Sequence, residues 1–245
     1  MHIALVLNGK VKKSFLLEYQ EQNPIDFWIA VDGGIRHFTK ELFPDLFLGD
    51  MDSCNVVPDG FSSEEKAVFL QENYGLSQEK IKKFPCEKDE TDSELALQEA
   101  ISMGAKKITI FGWNGNRIDH VYGNISLLTY GIKHQISIVL EDKNNRVFLV
   151  KEPVQVLKNG FSYLSLFSYS EEVTGLTLRG VKYEVTEFIL RKGMVRGISI
   201  EFFIVMQASS FVISLLIPLT IPFRKIKSVT SYFTPLNVSP VTSSL

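Results

Sequence analysis

Two aspartates one residue apart, Asp50 and Asp52, are the side chains here whose type and spacing best fit chemistry. In an extended segment, residues two apart project to the same side, so both carboxylates can face one cation. Carboxylates with no His or Cys beside them suit a hard, oxygen-seeking ion such as Mg2+ rather than zinc. Asp92, at the end of Asp89-Glu90-Thr91-Asp92, can complete the ligand set from the start of a helix. Because Mg2+ takes one or two carboxylates and substrate phosphates, the pattern points to phosphate chemistry. An Asp-x-Asp pair taken alone also fits acidic residues that merely end a strand.

A second candidate is the loop Gly112-Trp113-Asn114-Gly115-Asn116-Arg117, which leads into Ile118-Asp119-His120. Its backbone amides and the helix N-terminus after it could hold phosphate, with Arg117 adding a charged fork. It lacks the Gly-Lys-Ser/Thr of a Walker loop and the Gly-x-Gly-x-x-Gly spacing of a dinucleotide site. A plain strand-to-helix turn would use similar residues. Asp119 fits a catalytic role, a helix cap or a partner for Arg117, and His120 is as easily structural. A third segment, Asp32-Gly33-Gly34, is short and glycine-rich.

These segments share one feature: each follows a candidate strand. Short apolar runs at Ile3–Leu7, Trp28–Val31, Leu46–Leu48, Lys107–Phe111 and Ile136–Leu140 alternate with amphipathic stretches. A parallel sheet with helices on its faces gives that pattern, and ligands then bind beyond the carboxyl ends of the strands. A further short strand near Phe84 precedes Asp89–Asp92. Four separate segments thus bring carboxylates or glycines to one rim, which outweighs the bland reading of any one of them. Thr91-Asp92-Ser93-Glu94 has the form of a capping box, with Leu97, Ala100 and Ile101 at helical spacing and Gly104 as the stop. A second helix is expected from Ile118 to Tyr130, ending at Gly131. Trp28 and Trp113 read more readily as core than as substrate platforms.

Beyond Asp142 the texture changes to short alternating segments (Arg146–Val150, Val154–Leu157, Tyr163–Phe167, Leu176–Leu178) punctuated by glycine. The expected fold is therefore α/β, a Rossmann-like parallel sheet with flanking helices, followed by an all-β sandwich-like domain. Its expected bounds are 1–142 and 143–223, with 224–245 a disordered Ser/Thr/Pro-rich tail. The balance of 26 Lys+Arg against 28 Asp+Glu gives no basic excess to call for nucleic acid or an anionic membrane. Two lone cysteines, Cys54 and Cys86, fit a reduced, cytoplasmic protein better than a disulfide scaffold.

At these residues the chain resembles the thiamine pyrophosphokinase family. The matching segments are Val31-Asp32-Gly33-Gly34, Gly49-Asp50-Met51-Asp52-Ser53, Lys88-Asp89-Glu90-Thr91-Asp92 and Gly112 to His120 with Asn124. A weaker match runs through Gly175-Leu176 and Gly180-Val181-Lys182-Tyr183 to Gly197-Ile198-Ser199. The resemblance implies a homodimeric enzyme that moves pyrophosphate from ATP to the thiamine hydroxyl with Mg2+. It implies Asp50, Asp52 and Asp92 as metal ligands and catalytic residues together with Asp119. Asp32, Gly33, Gly34, Thr91, Gly112, Gly115 and Arg117 would bind nucleotide, and Ser199 thiamine.

Two features depart from the family. Ile200 stands where Asn usually follows Gly-Ile-Ser, which removes a polar side chain from the pocket. Phe202–Phe223 is uncharged and long enough to cross a bilayer. It fits closing β-strands broken at Pro218 and Pro222, a divergent end, or a membrane anchor weakened by Gln207, the serines and the prolines. A hydroxymethylpterin pyrophosphokinase and a non-catalytic nucleotide-binding protein are the rival functions.

Overall fold

Strands that are apolar on both faces need cover on both faces, and the first unit supplies it. The computed structural model describes residues 1–49, 60–84, 89–157, 161–194, 200–201 and 210–216. The chain divides into two compact units, Met1–Leu149 and Val150–Leu245.

The first unit is built on a seven-stranded sheet of β1 (His2–Val6), β2 (Phe27–Val31), β3 (Leu46–Gly49), β4 (Ile81–Lys83), β5 (Lys107–Phe111), β6 (Ser137–Glu141) and β7 (Arg146–Val147). Its order is β4-β3-β2-β1-β5-β6-β7. All neighbours are parallel except β7, which runs antiparallel to β6. The chain moves outward from β1 to β4, then returns to the other side of β1 for β5. The order reverses between β1 and β5, and a crevice opens at such a switch point.

Against one face pack α1 (Lys13–Gln22) and α2 (Ser63–Tyr74), whose Leu16, Tyr19 and Leu70 meet Ala4, Val6, Trp28, Phe47 and Phe111. Trp28 lies 5.8 Å from Phe111 in a stacked arrangement, so it is core, as its sequence context implies. Removing the Phe111 ring would cost about 3–5 kcal/mol. Against the other face pack α3 (Asp92–Ser102), with Ala96, Leu97 and Ala100, and α5 (Leu128–His134), with Leu128. Trp113 is buried in this second cluster.

The capping box expected at Thr91 is half built. Thr91 Oγ1 accepts from the Glu94 amide at 3.2 Å. The Glu94 carboxylate accepts instead from the Tyr130 hydroxyl, which ties α3 to α5. The helix expected over Ile118–Tyr130 is two: α4 (Ile118–Ser126) and α5, joined at Leu127. Gly131 does not end it. That glycine sits inside α5, where an added Cβ would lie 2.8 Å from Ile136 O, and the left-handed Gln135 is the stop.

The sequence expectation of a β segment at Arg146–Val150 in the second domain needs correction. Arg146 and Val147 pair with Glu141 and Leu140 as β7, so this stretch completes the first sheet. The division between the units accordingly falls after Leu149 rather than at Asp142.

The second unit contains β8 (Val154–Leu157), β9 (Tyr163–Leu164), β10 (Glu172–Arg179), β11 (Val185–Arg191), β12 (Ile200–Glu201) and β13 (Ser210–Leu216). They form an antiparallel sheet of order β11-β10-β13-β8 and a two-stranded sheet of β12 and β9. Val173, Leu176, Leu178, Val181 and Leu190 make its core, with Leu164 and Ile200 packed against it from the small sheet. Ile200 is therefore a packing residue here, which accounts for an apolar side chain at that position. Within Phe202–Phe223, residues 210–216 form β13 between β10 and β8, as the closing-strand reading expects. Among the described residues no helix is long and apolar enough to cross a membrane. The rest of that stretch and the 224–245 tail lie outside the described residues.

Candidate active site

The turns that follow the central strands are packed backbone on backbone, and that packing makes the rim. After β2, Asp32–His37 forms a tight 3-10 turn opened by Asp32 at φ 48°. Non-glycine residues seldom take that left-handed conformation, so a buried aspartate there reports a site under outside constraint. Gly34 in this turn lies so close to the end of β1 that an added Cβ would be 1.9 Å from Val6 O. An added Cβ at Gly33 would lie 2.4 Å from Asn8 Oδ1, and one at Gly49, at the end of β3, 3.0 Å from Asp32 Cα. Asp32, Gly33, Gly34 and Gly49 are thus brought together.

The same packing joins β1 to β5 across the switch point. Gly9 N–H donates to Gly112 O at 3.0 Å and Lys10 N–H to Asn114 O at 2.8 Å. Gly115 also lies close to Gly9, the distance from its added Cβ to Gly9 Cα being 3.8 Å. The loop is held from behind: Asn124 Nδ2, buried in α4, donates to Trp113 O at 2.8 Å. Asn114 Nδ2 donates to Asp142 Oδ2 at 2.6 Å, so the Asn114 side chain shapes the loop.

Arg117 and Asp119 stand at the start of α4, both well exposed, and form an ion pair. Arg117 bonded to Asp119 holds that carboxyl below its ordinary value, and Asp119 raises the guanidinium in return. Thr91 caps α3, with its hydroxyl also 3.0 Å from Ser93 Oγ, and Asp92 is half-buried in the first turn. Asp50, Asp52 and Ser199 lie outside the described residues. Among the described residues no group of three or more His, Cys, Asp or Glu could hold a metal.

Sequence reasoning missed the first turn of the rim. Asn8-Gly9 follows β1, the strand flanking the switch point, so its position was the available signal. Two side chains reach it from the 3-10 turn. Arg36 Nη2 donates to Asn8 O at 2.5 Å and to Gly9 O at 3.3 Å. His37 Nε2–H donates to Gly9 O at 2.9 Å. Burial, then the Arg36 charge, lowers His37 to about 4, so the imidazole is neutral at ordinary pH.

Comparison with known proteins fits this arrangement. Residues 19–140 match the family model for the thiamin pyrophosphokinase catalytic domain, and residues 151–203 that for the thiamin pyrophosphokinase vitamin B1 binding domain. A thiamine pyrophosphokinase of Bacillus subtilis (strain 168) is 32% identical over 177 residues, covering 71% of this chain and 77% of that protein. The crystal structure of thiamine pyrophosphokinase from Bacillus subtilis superposes with a TM-score of 0.72 at 28% identity, over 89% of this chain and 95% of that one. That of thiamin pyrophosphokinase from Geobacillus thermodenitrificans gives 0.69 at 28% identity, over 89% and 94%.

Proposed function

Because this chain belongs to the thiamin pyrophosphokinase family, we infer that it is an ATP-dependent diphosphotransferase, moving the pyrophosphoryl group of ATP to the hydroxyl of thiamine. The observation that carries the reading onto this molecule is the convergence of the turns after β1, β2 and β5, with the last residue of β3, on one rim, backbone against backbone. Such a rim suits a phosphate chain, which needs amides and cations brought close. The vitamin B1 model at residues 151–203 disfavours a pterin acceptor.

The thiamine hydroxyl attacks the β-phosphorus of ATP, the bond to the α-phosphate oxygen breaks, and AMP leaves. Arg117 is proposed to turn from Asp119 to the phosphate oxygens, offering two parallel hydrogen bonds. Asp119, once released, is the proposed proton acceptor for the thiamine hydroxyl. Asp32, Gly33, Gly34, Thr91, Gly112 and Gly115 are proposed to line the nucleotide, and Ser199 to reach thiamine.

Asp50, Asp52 and Asp92 are the proposed ligands of Mg2+. Asp92 is the member of that set among the described residues, half-buried in the first turn of α3, where a carboxylate can face the rim. A bound ion would supply positive charge to the phosphate oxygens and help fix their geometry. A homodimer in the cytoplasm completes the proposal.

Incubation with ATP, Mg2+ and either thiamine or a hydroxymethylpterin, with AMP as the readout, tests the function. AMP with thiamine alone is expected. AMP with the pterin alone, or with neither, would overturn the reading.

A further inference from the structure

We propose that Arg36 is a phosphate-binding residue of this enzyme, contacting the nucleotide's phosphate chain at the mouth of the crevice between β1 and β5. This deepens the reading of the same site and rests on it.

The first observation is position. Arg36 belongs to the turn after β2, yet its guanidinium lies over the end of β1, on the carbonyls of Asn8 and Gly9. Those residues pair in turn with Gly112 and Asn114 after β5. The cation therefore stands at the point where the strand order reverses, where open α/β sheets bind ligands.

The second observation is charge. Arg117, Arg146, Arg179 and Arg191 each face a carboxylate: Asp119, Glu141, Glu184 and Glu172 respectively. Among the described arginines, Arg36 alone is held by backbone carbonyls without a carboxylate. Carbonyls orient a guanidinium but leave its charge whole. Nη2 spends its two hydrogens on Asn8 O and Gly9 O, and Nε–H and the two Nη1 hydrogens stay available to other acceptors. These hydrogens point to different sides of the planar group, so each offers a single charge-assisted bond to a phosphate oxygen. His37, neutral and donating to Gly9 O, adds no competing charge but helps fix the carbonyl that Arg36 grips.

A purely structural reading makes Arg36 a strut between the 3-10 turn and the β1 loop. The two roles separate in kinetics. Arg36→Gln should raise KM for ATP about ten- to a hundredfold, the loss expected for a charge-assisted hydrogen bond, with KM for thiamine unchanged. Arg36→Lys should recover part of that loss by restoring the charge without the planar group that Asn8 O and Gly9 O orient. In the unaltered protein, Arg36 should react with phenylglyoxal and be shielded by ATP but not by thiamine, read by peptide mass spectrometry. This arm holds even if Arg36→Gln fails to fold. An unchanged KM for ATP, equal rises in both KM values, or labelling of Arg36 indifferent to ATP would overturn the proposal. If the unaltered protein makes no AMP from thiamine, the functional reading fails. Shielding by ATP would then still support Arg36 as a phosphate contact, and its absence would refute it.

Discussion

Arg117 donates to both carboxylate oxygens of Asp119, from Nε at 3.3 Å to Oδ1 and from Nη2 at 2.5 Å to Oδ2, across a single intervening residue. Both side chains are open to water, which screens the pair and makes it easy to part. A phosphate carrying more charge than one carboxylate can draw the guanidinium away, the step proposed to free Asp119 as proton acceptor.

Asp119→Asn should therefore lower kcat by about a hundredfold, the lower end of what a positioned proton acceptor contributes. Before nucleotide binds, the bond to Arg117 holds the Asp119 carboxyl below its ordinary value and so favours the ionised form that a proton acceptor needs. A variant with near-normal kcat would leave Asp119 as a mere holder of Arg117.

Gly34→Ala should cost about 4 kcal/mol or prevent folding, because the new methyl would meet Val6 O at 1.9 Å and the backbone of a central strand cannot yield. Gly104→Ala, at φ 83° with nothing within 4 Å, should cost only about 1–2 kcal/mol of left-handed strain. Urea denaturation of the two variants side by side checks the contrast.

Asn124→Ala would strip the buried Trp113 carbonyl of its 2.8 Å donor. A loss of about 1–3 kcal/mol in stability is expected, together with a higher KM for ATP as the loop above it loosens. Thermal melts and ATP kinetics report the two effects separately.

His2 should make the fold acid-sensitive. Its Nδ1–H donates to Pro24 O at 2.8 Å, and Nε2 lies 2.9 Å from the Thr109 hydroxyl, which can give or take the hydrogen. Burial, with help from Lys107, lowers its pKa from 6.5 to about 4. The unfolded chain thus binds the proton first as pH falls. The stability due to the neutral ring is complete above pH 6.5 and is lost as pH falls towards 4, at about 1.4 kcal/mol per pH unit. His37 behaves alike over the same window. Urea midpoints across that range should slope less in His2→Asn than in the wild type.

Short-range features of the fold were legible in the sequence because neighbouring residues decide them. The strand runs from Ile3, Trp28, Leu46 and Lys107 sit within a residue of β1, β2, β3 and β5, and Thr91 caps α3 as its spacing implies. Long-range pairing was not legible. Arg146 and Val147 alternate like any short strand, and only contact with β6 assigns them to the first sheet. Gly131 looked like a helix stop, but its lack of a side chain serves a close approach to Ile136. In the site, the Asp and Gly types marked the turns after β2 and β5, which the structure packs against the end of β1. Arg36 was missed because its contact partners lie 28 and 27 residues back, at Asn8 and Gly9.

The central claim is that carboxylates from separate strand ends serve one divalent ion on a nucleotide, and titrating Mg2+ against AMP formation from ATP and thiamine tests it most directly. Asp50→Asn and Asp52→Asn should each lower turnover by orders of magnitude and shift the Mg2+ requirement upward, with thermal melting unchanged. Wild-type turnover at wild-type Mg2+ in either variant would contradict the account.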